Sequence, residues 1–124
     1  MYEEIDISLD TMPYSGGVTT CESLWMGVPV VSLCGVRPAG RNSAALLARA
    51  GLRHWVARTP EDYVALAVEQ ANQLERLAKL RGSLRNQVRE VLCDAERFTR
   101  TLEAAFRNMW RKKMAPDGTV MKRG

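Results

Sequence analysis

Residues 9–29 read Leu-Asp-Thr-Met-Pro-Tyr-Ser-Gly-Gly-Val-Thr-Thr-Cys-Glu-Ser-Leu-Trp-Met-Gly-Val-Pro, and no other stretch limits the fold so tightly. Just upstream, Ile5, Ile7 and Leu9 alternate with Asp6, Ser8 and Asp10, which is the period of a strand. A loop carrying Pro13 and the Gly16-Gly17 pair follows. A short helix is then predicted from Thr19 or Thr20 to Met26, with Trp25 and Met26 in the core, stopped by Gly27 and Pro29. Strand, glycine turn and helix start together bring unpaired backbone N–H groups and the positive end of a helix dipole to one point. A phosphate or diphosphate binds such a point through the main chain alone.

The remainder of the chain repeats the alternation of strand and helix. Val28 to Leu33 is a short valine-rich run, as expected of a strand covered on both faces of a parallel sheet. Cys34 to Gly40 reads as a loop, 41–50 as a helix ended by Gly51, and Trp55-Val56-Ala57 as a third short strand. Thr59 is placed to cap a helix, with Pro60 at its first position and Glu61 and Asp62 complementing the dipole. Val64, Ala67, Val68 and Ala71 make one apolar stripe, and Leu77, Leu80, Leu84, Val88 and Val91 a second. Asp94 is predicted to cap a last helix whose apolar face is Phe98, Leu102, Ala105, Phe106, Met109 and Trp110. Residues 114–124 read as a disordered basic tail. The pattern is α/β: a short parallel sheet with flanking helices and a helical C-terminus, half of a doubly wound domain. Ligands in such sheets sit beyond the carboxyl ends of the strands, here the loops 11–18 and 34–40.

Composition narrows the chemistry. A chain of 124 residues is one domain or part of one. No apolar run approaches the roughly 18–20 residues that cross a bilayer, and Met1-Tyr2-Glu3-Glu4 lacks the character of a targeting signal. The odd cysteine count (Cys21, Cys34, Cys93), without paired spacing, fits a reducing cytoplasmic setting and argues against a zinc site. With His54 the lone histidine, a histidine-based triad or metal cluster within the chain is not expected, and no catalytic residue is assigned. Residues 1–72 carry 5 basic and 8 acidic side chains, net −3; residues 73–124 carry 13 and 6, net +7. The basic half lacks aromatics on its polar faces, so it reads as solvated helix surface and not as a nucleic-acid or membrane contact.

The candidate site is the helix start. Gly16 and Gly17 permit a sharp turn and close approach of a ligand. Val18, Thr19 and Thr20 supply amides, and the two threonines supply hydroxyls as well. Glu22, one short step into the helix, could accept bonds from ribose hydroxyls. Thr19-x-x-Glu22 is also the pattern of a capping box, in which Glu22 only bonds back to the helix start. Arg41 begins the next helix, where a cation opposes the dipole; either it pairs with an anion there or it is a plain surface residue.

The segment L-D-x-x-P-Y-x-G-G-x-T-T-C-E-x-L-W-M-G-V-P-V-V resembles the donor-binding half of the O-GlcNAc transferase family, whose bacterial forms often carry tetratricopeptide repeats. The likeness continues through Ala39-Gly40-Arg41-Asn42-Ser43-Ala44-Ala45-Leu46-Leu47, Glu61-Asp62-Tyr63 and Leu92-Cys93-Asp94-Ala95-Glu96-Arg97-Phe98 to Met109-Trp110. It implies that residues 1–113 are the C-terminal portion of the donor domain of a GT-B glycosyltransferase, Rossmann-like in each half. It implies UDP-GlcNAc as donor, Ser or Thr of a protein as acceptor, and no metal or other cofactor. On this likeness Gly17, Val18 and Thr19 lie at the diphosphate and Glu22 at the ribose; the reading of the helix start itself adds Gly16, Thr20 and Arg41 to the candidate donor-binding set. Val18 and Gly40 depart from the family, which usually has a hydroxyl residue and a serine there. The acceptor cleft, a catalytic-side histidine and a phosphate-binding lysine are expected upstream of Met1. The chain alone is therefore expected to be inactive, or to act only by association through an open sheet edge.

Overall fold

A computed structural model describes residues 2–114, and the chain divides into two compact units, Met1–Cys93 and Asp94–Gly124. In the first unit three strands, β1 (Ser8–Leu9), β2 (Val30–Leu33) and β3 (Val56–Ala57), lie in that order, all parallel. Ser8 is in register with Val30, and Ser32 with Val56. Parallel neighbours require a crossover. Helix α1 (Val18–Trp25) supplies the first and α2 (Asn42–Arg49) the second. Helix α3 (Pro60–Ala71) packs on β2 and β3, and α4 (Leu74–Leu92) packs on α1 and α3. The fold is thus the expected α/β arrangement of a short parallel sheet and flanking helices.

β2 is the centre of the unit. Val30, Val31 and Ser32 are all buried, without alternation, because helices and strands cover both faces. Leu24 of α1, Leu47 of α2, Trp55, and Leu77, Leu84 and Val88 of α4 close around it. Each such side chain, fully buried, contributes roughly 1.5–3 kcal/mol. The Trp55 indole N–H is buried with no partner among the described residues, a cost borne by the burial of the large ring.

Helix ends follow their sequence signals. Gly27 (φ 77°) and Gly51 (φ 75°) take the left-handed conformation after α1 and α2. Val28 N then donates to Ser23 O, and Leu52 N to Leu47 O, both at 2.8 Å, closing the last turns. A Cβ at Gly27 would stand 2.9 Å from the Arg81 carbonyl oxygen, so the approach of α4 also requires glycine there. Thr59 Oγ1 accepts from Asp62 N at 3.1 Å, with Pro60 at the first helical position.

Several expectations are corrected. The first strand is two residues long, Tyr2–Glu4 form a 3-10 turn, and Leu9 is exposed. Backbone pairing with β2 sets the length of β1, not the longer alternation in sequence. On α3, Val64 and Val68 are exposed, while Tyr63, Leu66 and Ala67 pack on the core and Gln70 is buried. The inward face is turned by about one residue, or 100°, consistent with the Tyr63 hydroxyl reaching the Asp10 carbonyl oxygen at 2.9 Å. Met26 is exposed and Trp25 half-buried, its ring covered by the Arg85 guanidinium at 4.8 Å. Helix α1 is short, and only Thr20, Ser23 and Leu24 face fully inward.

The second unit is helix α5 (Ala95–Met114), capped as expected by Asp94, whose carboxylate accepts from Arg97 N at 2.9 Å. Phe98, Leu102, Phe106, Met109 and Trp110 share its apolar side, and none of its residues is buried. The tail expected to be disordered, 114–124, lies outside the described residues except for Met114, which ends α5. No helix of the described residues is long and apolar enough to cross a membrane.

Two glycines should respond oppositely to alanine. Gly27→Ala combines left-handed strain with the Arg81 contact and should cost about 2 kcal/mol or more. Gly82→Ala, inside α4 with open space around its Cβ position, should gain about 0.5–1 kcal/mol. Urea unfolding of both variants checks the pair.

Candidate functional site

Two helix N-termini open at the carboxyl end of the sheet, one after β1 and one after β2. Their loops are stitched together: Ser15 donates to the Ala39 carbonyl through both its amide and its hydroxyl, each at 3.1 Å. Ser15 Oγ in turn accepts from Asn42 N at 3.0 Å and from Ser43 N at 3.4 Å. A residue of the first loop therefore caps the second helix. The first two amides of α2 are thereby occupied.

Helix α1 differs. Its N-cap is Gly17, with no side-chain cap, and the first helical bond runs from Cys21 N to Gly17 O at 3.1 Å. The amides of Gly17, Val18, Thr19 and Thr20 have no acceptor among the described residues. Val18 and Thr19 are exposed. The capping box anticipated from Thr19 and Glu22 does not form, because the helix begins at Val18 and Thr19 already lies inside it. Glu22 is exposed and its carboxylate makes no hydrogen bond among the described residues.

The bend before α1 is held by groups on three elements. The Asp10 carboxylate accepts from Gly16 N at 2.7 Å and from Ser32 Oγ at 2.6 Å. The Gly16 amide is thus already engaged and is not among the open donors. Its carbonyl accepts from Ser43 Oγ at 2.9 Å, and Thr20 Oγ1 lies 2.8 Å from that same serine oxygen. The single Ser43 proton points to Gly16, so Thr20 is the donor to Ser43. This corrects the expectation that both threonine hydroxyls face outward: that of Thr20 is buried and spent on α2, and only its amide remains. A cleft of about 200 Å³ opens beside Thr19 and Thr20, bordered by Asp10, Thr11, Ser8 and Leu9.

The glycines divide by role. A Cβ at Gly16 would fall 2.6 Å from both threonine hydroxyls, whereas one at Gly17 meets nothing within 4 Å. A Cβ at Gly40 would stand 3.0 Å from Pro13 O and 3.2 Å from Gly35 Cα, so close contact between the two loops accounts for glycine at that position. Arg41, the N-cap of α2, donates from Nε to the Gly35 carbonyl at 2.8 Å and is exposed. The structure therefore gathers Gly17 to Glu22 at one helix start and joins it to the loop of Arg41 through Ser15.

Three residues of this constellation escaped the sequence reading: Asp10, Ser15 and Ser43. Asp10 left a faint signal, an acid at the end of a strand six residues before a glycine pair. The serine contacts to α2 span 27 and 28 residues and left none. His54 is exposed beside buried Trp55, ring centroids 6.3 Å apart, on the turn before β3 and outside this constellation.

Residues 3–102 match the sequence profile of glycosyl transferase family 41. The chain belongs to this family. It is 46% identical over 123 residues to the SPINDLY protein of Oryza sativa subsp. japonica, named a probable UDP-N-acetylglucosamine–peptide N-acetylglucosaminyltransferase, and 45% identical to that of Hordeum vulgare. These alignments cover 98% of this chain and 13% of either plant protein. The corresponding transferase of Caenorhabditis elegans is 28% identical over 108 residues. Among solved structures, a point mutant of the Thermobaculum terrenum O-GlcNAc transferase superposes with a TM-score of 0.82 at 50% identity, covering 89% of this chain and 21% of that one. The chain thus spans about an eighth of its plant relatives, within a glycosyltransferase family.

Removing the shared serine should loosen α2: Ser15→Ala should lower unfolding free energy by about 1 kcal/mol, the usual worth of a cap, in chemical denaturation. Tyr63 gives a pH signature. Burial, and secondarily the Asp10 charge, raise its pKa above the ordinary 10.0. Folding favours the neutral phenol, so its contribution is complete below pH about 10 and is lost as pH climbs through the raised folded value. Tyr63→Phe should remove this component from alkaline unfolding curves.

Proposed function

We propose that Gly17 to Glu22, with Arg41, bind the diphosphate and ribose of UDP-GlcNAc, as the donor half of a protein O-GlcNAc transferase. The observation that carries this reading is the contrast between the two helix starts: Ser15 takes the first two amides of α2, and α1 presents four amides with no acceptor among the described residues. Oriented N–H groups stabilise the negative charge that grows on a departing UDP without having to reorganise. Thr19 adds an exposed hydroxyl, and the unbonded carboxylate of Glu22 suits ribose hydroxyls. Arg41 keeps guanidinium N–H groups beyond the one given to Gly35 for a phosphate at the loop edge. The reading asks for no metal, since the helix dipole supplies the positive potential. The protein acceptor and its activating base are assigned to the larger part of the relatives that this chain does not span. The setting is a reducing, cytoplasmic one.

Calorimetric titration of the 124-residue chain with UDP tests the reading. Binding is expected, unchanged by EDTA, and weakened about tenfold or more by Thr19→Ala with Glu22→Ala. A wild-type chain with no affinity for UDP would overturn it. With UDP-GlcNAc and an acceptor peptide, the same chain should show little or no transfer; robust turnover would show that the acceptor side is encoded here after all.

A second reading has one observation in its favour: β1 pairs with β2 alone among the described strands, leaving its other edge open. Oligomers in size-exclusion chromatography, combined with no nucleotide affinity, would favour association as the sole role.

A further inference from the structure

We propose that Asp10 and Ser43 are positioning residues of the donor site, clamping the Gly16 unit so that the Gly17 amide turns outward with those of Val18 and Thr19. The proposal rests on the donor-binding reading given above and adds what sets the geometry of its donors. A trans peptide holds its C=O and N–H in opposite directions. The peptide between Gly16 and Gly17 is trans, the one cis bond among the described residues being Met12–Pro13. Its carbonyl is drawn inward by the hydroxyl of Ser43, a fully buried side chain whose Oγ accepts a hydrogen bond from Thr20. The N–H of Gly17 must then face away from α2. Space is open around Gly17, where even a Cβ would meet nothing within 4 Å.

Asp10 holds the other side. Its Oδ1 takes the Gly16 amide, its Oδ2 takes the Ser32 hydroxyl at the end of β2, and its carbonyl oxygen takes the Tyr63 hydroxyl. The bend is thereby tied to β2 and α3. The carboxylate also removes the Gly16 amide from the set of donors and places a negative charge next to the anion site. Its role is geometric, against its own electrostatic effect. Asparagine keeps the geometry without the charge: Oδ1 still accepts from Gly16, the amide NH₂ donates to Ser32 Oγ at the cost of re-aiming that buried hydroxyl's own proton, and the repulsion of the anion is gone.

The test is nuclear magnetic resonance of the isotope-labelled 124-residue chain, titrated with UDP, as wild type, Asp10→Asn, Asp10→Ala and Ser43→Ala. In the wild type, UDP should move the amide signals of Gly17, Val18 and Thr19 and leave that of Gly16 in place. Asp10→Asn should bind UDP at least as tightly as wild type. Asp10→Ala and Ser43→Ala should bind about tenfold more weakly while keeping a folded spectrum, with faster hydrogen exchange at Gly16 in Asp10→Ala and a displaced Gly17 signal in Ser43→Ala. A carboxylate needed for its charge would not give loss with alanine beside undiminished affinity with asparagine. Movement of the Gly16 signal on UDP addition, weaker binding by Asp10→Asn, or unaltered binding by Ser43→Ala overturns the proposal, and the last two still decide it if Asp10→Ala does not fold. If the wild type fails to bind UDP, the donor reading falls. The Gly16 exchange rate and Gly17 signal then judge the clamp separately, unaltered values in both variants overturning it.

Discussion

The Asp10 carboxylate is the joint on which the first unit turns. It ends β1, reaches across to Ser32 at the end of β2, and holds the amide of Gly16 at the start of the crossover. Its own carbonyl receives Tyr63 from α3, and that bond is associated with the face α3 buries. Bonds to an ionised acceptor are short and stronger than neutral ones, and here two of them tie the end of β1 to β2 and to the bend before α1. The helix start that follows is therefore placed by strands in the core rather than by a free loop.

Local chemistry alone would make the two helix starts equivalent. Both follow a parallel strand, both come after a glycine-bearing loop, and neither has a good capping residue of its own, since Gly17 and Arg41 occupy those positions. They differ because Ser15 of the first loop lies over the second helix. That serine holds the first two amides of α2, while no group among the described residues takes those of α1. Gly35, Gly40 and Pro13 make this overlap possible, since their backbones approach too closely for side chains between them. In a family of glycosyltransferases, an unsatisfied helix start at the carboxyl ends of parallel strands is well suited to a sugar nucleotide.

Much was legible in the residues themselves. The valine run 28–33, the glycines after α1 and α2, Thr59-Pro60 and Asp94 each marked an element, because a buried run, a left-handed C-terminus and a side-chain cap are local properties. So was the family, through an ordered series of motifs ending at Met109-Trp110. The errors fell where the deciding contact is distant. Val64 and Val68 fitted the helical period as well as Tyr63 and Leu66 do, and Tyr63 with its partner at Asp10 distinguishes the two faces. Met26 was apolar beside a core residue, yet a helix as short as α1 has room for little more than one inward turn.

The order of strands and helices, and the location of a candidate anion site within residues 11–22, are therefore properties of the chain read residue by residue, since backbone periodicity and glycine conformation act over a few positions. Which amides stay open, which threonine hydroxyl is free, and why residue 40 lacks a side chain follow from Ser15, Ser43 and Asp10 meeting partners in other elements. Hydrogen bonds of that kind depend on distance in space, and nothing in the spacing of two serines 28 positions apart announces that they share a helix cap.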